Sequence, residues 1–211
     1  MNFEQRSPIA MVNNEHLLAL VREKRWDELE IRIKENESDG FHLCECYGSH
    51  RLLHLVCSYQ PPLYIVEYLV AKSPDSCLQT DCNGRLPFHI AISNRACRRV
   101  VMFLLRQHKA AAKTSTTEGK YPLHLLFESF SDDSTSSEQD VINTRQNMKD
   151  ADLIFRSICN VAPETVVIED EEGINPIEYA IDNEVDMSII KRMGSIAQKV
   201  NKAREGIPRA A

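Results

Sequence analysis

Glycine is scarce. The 211 residues contain seven, under half of the ~7% of average usage. They stand at positions 40, 48, 84, 119, 173, 194 and 206, with no two closer than eight residues. Phosphate cradles need clustered glycines, because backbone N–H groups must approach the anion with no Cβ in the way. The spacing therefore excludes G-x-G-x-x-G, the P-loop G-x-x-x-x-G-K-[ST] and the G-x-S-x-G elbow. Basic excess is missing too. The net charge is −6, which gives no general reason to expect nucleic acid as a partner. No run of ~18 apolar residues exists, so no membrane-crossing helix is expected. The opening Met1-Asn-Phe-Glu-Gln-Arg-Ser-Pro8 lacks the charged-then-apolar order of a signal peptide. Seven cysteines, an odd number irregularly spaced in a chain too long to need staples, predict reduced thiols in cytoplasm or nucleus.

What is present is an ordinary globular composition, 43% hydrophobic and 27% charged, with enough chain for a real core. Charge is unevenly placed. Arg95 to Lys113 carries six basic residues and no acid, whereas Glu164 to Glu178 carries six acids and no base. Such runs read as two solvated faces or as a bipolar surface for a partner.

A repeat organises the chain. Gly84-Arg-Leu-Pro-Phe-His-Ile-Ala91, Gly119-Lys-Tyr-Pro-Leu-His-Leu-Leu126 and Gly173-Ile-Asn-Pro-Ile-Glu-Tyr-Ala180 share one pattern: Gly, two residues, Pro, an apolar residue, then His or Glu. Ser49-His-Arg-Leu-Leu-His-Leu-Val56 is a weaker copy with Leu52 in place of the Pro. His54, His89 and His124 are spaced by 35 and 35, and Glu178 follows by 54, one period plus 19. Gly permits a turn with positive φ, and Pro suits the first turn of a helix. A short apolar helix follows (Pro87–Asn94, Pro122–Phe130), then an amphipathic one (Pro62–Lys72, Cys97–Lys109). Helix pairs this short must stack on like neighbours to bury their apolar faces.

The pattern resembles the ankyrin repeat, with its β-turn finger, T-P-L-H-x-A motif and two antiparallel helices. Asp81-Cys-Asn-Gly84 and Asp170-Glu-Glu-Gly173 look like the D-x-x-G finger. The resemblance implies an all-α fold, a solenoid of stacked antiparallel helix pairs with β-turn fingers. It covers residues 14–200: an N-terminal capping pair at 14–40, with helices Leu17–Lys24 and Trp26–Ile33, then repeats at about 45–80, 81–115, 116–169 and 170–200. Residues 1–13 and 201–211 are left as tails. The extra nineteen residues are expected as a mobile loop within 131–150, centred on Ser131-Asp-Asp-Ser-Thr-Ser-Ser-Glu-Gln-Asp140. Ser137, followed by Glu138 and Asp140, looks like an acid-directed phosphorylation site. The family's capping Thr, which also holds the motif His, is replaced by Arg51, Leu86, Tyr121 and Asn175. Only Asn175 can cap by a side-chain oxygen.

The resemblance further implies a non-catalytic protein–protein interaction module, a scaffold with no cofactor. It is expected to be a monomer that binds another protein, with neither nucleic acid nor membrane as partner. The expected finger-tip contacts are Tyr47, Asp81, Asn83, Glu118, Glu171 and Glu172. On the inner helices they are Ser58, Tyr59, Ser93, Asn94, Glu128 and Asp182. This set grows more acidic toward the C-terminal copies, which favours a basic partner segment there.

Other chemistry is weaker. His42-Leu-Cys-Glu-Cys46 with His50 gathers four zinc-type donors in nine residues. Its Cys-x-Cys spacing is shorter than the Cys-x₂₋₄-Cys spacing that structural zinc usually takes. A zinc- or thiol-responsive regulator built on His42, Cys44, Cys46 and His50 is the alternative function. Cys77 and Cys82 lack the Cys-x-x-Cys spacing of a redox pair, and Cys57, Cys97 and Cys159 read as small core residues. The evenly spaced histidines fall in separate layers, roughly 10 Å apart, too far for a triad or shared metal. Enzymes can assemble from scattered residues, but no catalytic constellation is legible here.

Overall fold

In the computed structural model, residues 8–35, 52–130 and 138–205 are described, and every regular element among them is helical. The fold is all-α. The chain divides into two compact units, Met1–Gln107 and His108–Ala211. The division falls inside the second copy of the repeat rather than at its expected boundary.

The first unit contains α1 (Pro8–Arg22), α2 (Trp26–Glu35), α3 (Leu52–Cys57), α4 (Leu63–Lys72), α5 (Pro87–Ser93) and α6 (Arg98–Gln107). A 3₁₀ turn, Pro74–Leu78, follows α4. α1 packs on α2, α3 on α4 and α5, and α4 and α5 both on α6. Apolar residues at helical spacing face inward: Leu20, Leu29 and Ile33 in the first pair, Ile65, Val66 and Leu69 in α4, and Val100, Val101 and Leu104 in α6 are all buried. The opposite sides of α1 and α2, with Arg22, Glu23, Glu28 and Lys34, are exposed.

The second unit contains α7 (Pro122–Glu128), α8 (Glu138–Val161), α9 (Pro176–Asp182) and α10 (Met187–Glu205), with 3₁₀ turns Lys109–Lys113 and Pro163–Val167. α7 packs on α8 and α9, and α9 on α10. The Pro163–Val167 turn touches α8, α9 and α10. Its core is built from Leu123, Phe127, Phe155, Ile158, Ile189 and Met193. Phe127 and Phe155 lie with ring centroids 6.1 Å apart.

The recurrence holds for the short helices and the 3₁₀ turns. Short helices begin at 52, 87, 122 and 176, and the 3₁₀ turns begin at 74, 109 and 163. The 3₁₀ turns, which share no motif residue, are thus offset by 35 and then 54, the values that separate the last three short helices. Of the inserted residues, 138–151 are not the expected loop. They extend α8 to 24 residues, against 10 in α6. Glu138, Gln139, Arg145, Gln146, Met148, Lys149 and Ala151 are good helix formers. Residues 131–137, with Ser137, lie outside the described residues. α1 starts inside the expected N-terminal tail, and α10 runs five residues past the expected boundary.

Low glycine has a cost between the paired helices. Lys24, Gln60, Arg95 and Glu184 all adopt positive φ, from 50° to 55°. They occupy the left-handed position that ends a helix, which Gly usually fills. The next residue donates back to a helix carbonyl: Arg25 N–H to Leu20 O at 2.9 Å, Ala96 to Ala91 at 2.8 Å, Val185 to Ala180 at 2.9 Å.

Candidate functional site

Three turns of one construction project ahead of α5, α7 and α9. Each opens with a short polar side chain that accepts two backbone N–H groups of its own turn. Asp81 Oδ1 accepts from Asn83 at 2.9 Å and Arg85 at 2.8 Å. Thr116 Oγ1 accepts from Glu118 and Lys120, both at 3.3 Å. Asp170 Oδ1 accepts from Glu172 and Ile174, both at 3.0 Å. Backbone bonds then close the loops: Gly84 N–H to Asp81 O, Gly119 to Thr116 and Gly173 to Asp170, each at 3.1 Å. Burial alone would raise Asp81, but the N–H and guanidinium of Arg85 outweigh it and hold the carboxyl below its usual range. Asp170 is likewise held low, against burial, by the Ile174 N–H, the Tyr179 hydroxyl and the Glu172 N–H.

The motif histidines close the helix starts. Leu86 and Tyr121 supply no side-chain cap. Instead His89 Nδ1 accepts the Leu86 N–H and His124 Nδ1 accepts the Tyr121 N–H, both at 3.0 Å. The lack of a capping side chain at Leu86 and Tyr121 therefore does not leave the ring idle. It turns to the backbone. In the first unit, His54 Nε2 lies 3.2 Å from the carbonyl oxygen of Arg85 in the following turn. In α9 the pair Asn175 and Glu178 does the work reciprocally. Asn175 Oδ1 accepts from Ile177 at 3.0 Å and Glu178 at 3.3 Å, and Glu178 Oε2 accepts the Asn175 N–H at 2.8 Å.

In the second unit these parts converge on a polar cluster. Lys120 Nζ pairs with Glu128 at 2.5 Å, lies 3.8 Å from Glu118, and sits 5.5 Å from the Tyr179 ring centroid. Tyr179 donates its hydroxyl proton to Asp170 Oδ2 at 2.9 Å and meets the His124 ring edge-on, centroids 5.8 Å apart. Burial, reinforced by Asp170, pushes the Tyr179 hydroxyl up to about 12. Burial works against the Lys120 charge, but Glu128 outweighs it and holds the ammonium above its ordinary range. Both groups thus keep their protons at neutral pH, the opposite of what a general base or nucleophile needs. The cluster ties α7, α9 and two turns together. Adjacent turns also touch directly, Glu171 N–H donating to Glu118 O at 3.1 Å.

Of the expected contact residues, Asn83, Asn94, Glu118, Glu171, Glu172 and Asp182 are exposed, while Ser58, Tyr59, Ser93 and Glu128 are half-buried. Asp81 needs correction. It is 5% exposed, because its carboxylate is spent on its own turn and on Arg85, whose Nε lies 2.8 Å away. Ser58 and Ser93 hydroxyls donate back to His54 O and His89 O, each at 3.1 Å. Glu128 is occupied by Lys120. Sequence reading missed Lys120 and Tyr179; their hint was position alone, Lys120 directly after the turn glycine Gly119 and Tyr179 directly after Glu178. Tyr47 and the His42, Cys44, Cys46, His50 cluster lie outside the described residues.

Cys57, Cys77, Cys82, Cys97 and Cys159 are free thiols. Cys57, Cys77 and Cys159 are buried, and burial raises all three, Cys77 to about 11 and Cys159 to about 12. Cys97 is exposed rather than a core residue, since it falls one position before α6. Among the described residues no group of three or more His, Cys, Asp or Glu is arranged to hold a metal, and no helix is long and apolar enough to cross a membrane. No protein-family model and no curated protein matches the chain.

Proposed function

We propose that the chain is an ankyrin-type repeat solenoid acting as a non-catalytic protein-interaction module. The observation that carries this reading is the return of one assembly, polar-anchored turn, short helix, outer helix and 3₁₀ turn, at the same offsets along the chain. Each turn is rigid at its base and exposed at its tip, which suits a binding surface that spends little entropy on ordering. Free thiols, with burial raising those of Cys57, Cys77 and Cys159, favour a reducing compartment, cytoplasm or nucleus.

The partner is a basic protein segment that docks on the second unit. Glu118, Glu171, Glu172 and Asp182 are exposed there, whereas Glu128 is already neutralised by Lys120. Fluorescence anisotropy with a labelled arginine-rich peptide tests this. Binding is expected to weaken with salt and to fall at least about tenfold when Glu118, Glu171 and Glu172 are all changed to Ser. Equal affinity of the triple variant defeats the charge assignment. A matched acidic peptide binding as well as the basic one defeats the choice of partner.

A further inference from the structure

The helix pairs can be compared position by position. Cys57, Ile92 and Phe127 occupy one place in successive short helices and are 0%, 2% and 0% exposed. Ile181, in that same place of α9, is 54% exposed. Leu53, Phe88 and Leu123 are buried where Ile177 is half-buried. Val66, Val101 and Phe155 are buried where Ile190 is half-buried. Three isoleucines of α9 and α10 therefore lie on the face that earlier copies cover, and no described element covers it.

That face is not shaped for another copy of the repeat. Glu178 is exposed where His54, His89 and His124 are wholly buried, and a carboxylate enclosed against a following turn would be strongly unfavourable. Gly194 stands where Val70, Leu105 and Cys159 place side chains, and a Cβ added to it meets nothing within 4 Å. The face has a recess where its predecessors have a knob.

Charge selects the occupant. Residues 176–186 hold Glu178, Asp182, Glu184 and Asp186 with no base. α10 holds Lys191, Lys199 and Lys202 against Glu205 alone, its other bases being engaged elsewhere, Arg192 by Asp152 and Arg204 by Glu164. A face acidic on one helix and basic on the next is complementary to itself under two-fold rotation. Laying α9 of one chain on α10 of another joins opposite charges. The same rotation brings exposed Ile181 and half-buried Ile177 and Ile190 of the two chains together and offers the Gly194 recess to an opposing side chain. We infer that the α9–α10 face binds a second copy of this chain, forming a two-fold dimer.

Sedimentation equilibrium of the full chain, over a roughly hundredfold concentration range, reads this directly. The mass is expected to rise from one chain to two. Ile181→Arg should weaken association at least about tenfold while leaving the far-UV circular dichroism unchanged. Ile31→Arg, at a residue 56% exposed in the other unit, should associate like the parent. Chains carrying Glu178→Lys with Asp182→Lys, and chains carrying Lys191→Glu with Lys199→Glu, should each stay single. Mixed together they should pair, because only the mixture restores opposite charges on both halves of the interface. A parent chain that stays single at every concentration overturns the proposal, as does an Ile181→Arg variant that dimerises normally or a mixture that stays single.

Discussion

The third and fourth copies of the repeat share a backbone and solve one problem in two ways. In α7 the first-turn position is His124, fully buried, with Nδ1 accepting the Tyr121 N–H. In α9 the same position is Glu178, exposed, exchanging hydrogen bonds with Asn175. A neutral imidazole can be enclosed with one nitrogen satisfied. A carboxylate enclosed without a cation leaves an uncompensated charge, a cost of several kcal/mol. The residue at this one position thus reports whether the helix start is covered.

Exchanging the two residues is the strongest way to break that comparison. His124→Glu places a carboxylate in a buried space that Asp170 already makes negative, and is expected to cost at least about 4 kcal/mol. Glu178→His leaves an exposed ring still able to accept the Asn175 N–H, so the loss should stay within about 1 kcal/mol. Urea unfolding followed by circular dichroism gives both values. Equal costs would mean that coverage is not what separates the two positions.

The turns before these helices differ in the same direction. Gly119 and Gly173 have φ of +73° and +80°, so alanine is strained at either, by about 1 kcal/mol or somewhat more. At Gly119 a Cβ would also lie 3.0 Å from Glu171 N and 3.3 Å from the Asp170 backbone, whereas at Gly173 nothing stands within 4 Å. Backbone atoms in a hydrogen-bonded turn cannot move aside cheaply. Gly119→Ala is therefore expected to cost about 3 kcal/mol and Gly173→Ala about 1 kcal/mol, measured by the same unfolding titrations.

Which parts of this were legible follows from how local their causes are. A Gly with positive φ and a Pro at a helix start act within a few residues, so the turns and short helices could be placed from sequence. The fate of the extra nineteen residues could not. Ser131 to Asp140 is polar enough to suggest a loop, but residues 138–151, half of them good helix formers, join α8. Asp81 was misread for a similar reason. Its place in the finger suggests a contact, yet a short carboxylate reaches its own N–H groups first. Lys120 and Tyr179 meet only through the fold, and neither carries a local signature. The candidate surface was therefore half legible: its exposed acids could be named, but not the cluster that neutralises Glu128.

Acid separates the two copies again. Burial lowers His124 below its ordinary value of 6.5, only partly offset by Asp170. The unfolded chain thus takes up its proton first as pH falls. The stability tied to His124 is complete above 6.5 and is lost as pH drops through the lowered folded value. Asp170, also lowered, contributes a second loss further into the acid range, as pH falls through its folded value. His124→Gln keeps an acceptor for the Tyr121 N–H without a titrating ring. It should remove the upper step and leave the lower one, seen as a flatter unfolding midpoint between about pH 7 and about pH 5. An unchanged profile in the variant would place the upper step elsewhere.

The smallest expected difference lies where the paired helices join. Glu184 and Gln60 both hold positive φ, 51° and 54°, which an L-residue adopts at a cost of about 1 kcal/mol. Glu184 is exposed, and its turn is closed by backbone bonds that any residue could make. Glu184→Gly should therefore raise the thermal midpoint, by the equivalent of about 0.5 kcal/mol or a little more after the extra freedom of glycine in the unfolded chain is counted. Gln60 is different, because its amide donates to Asn94 O at 3.3 Å and its oxygen accepts from Lys24 Nζ at 3.4 Å. Gln60→Gly relieves the same strain but removes those links between neighbouring turns, so its midpoint should hardly move. If both variants gain equally, the Gln60 side chain contributes nothing beyond occupying an unfavourable conformation.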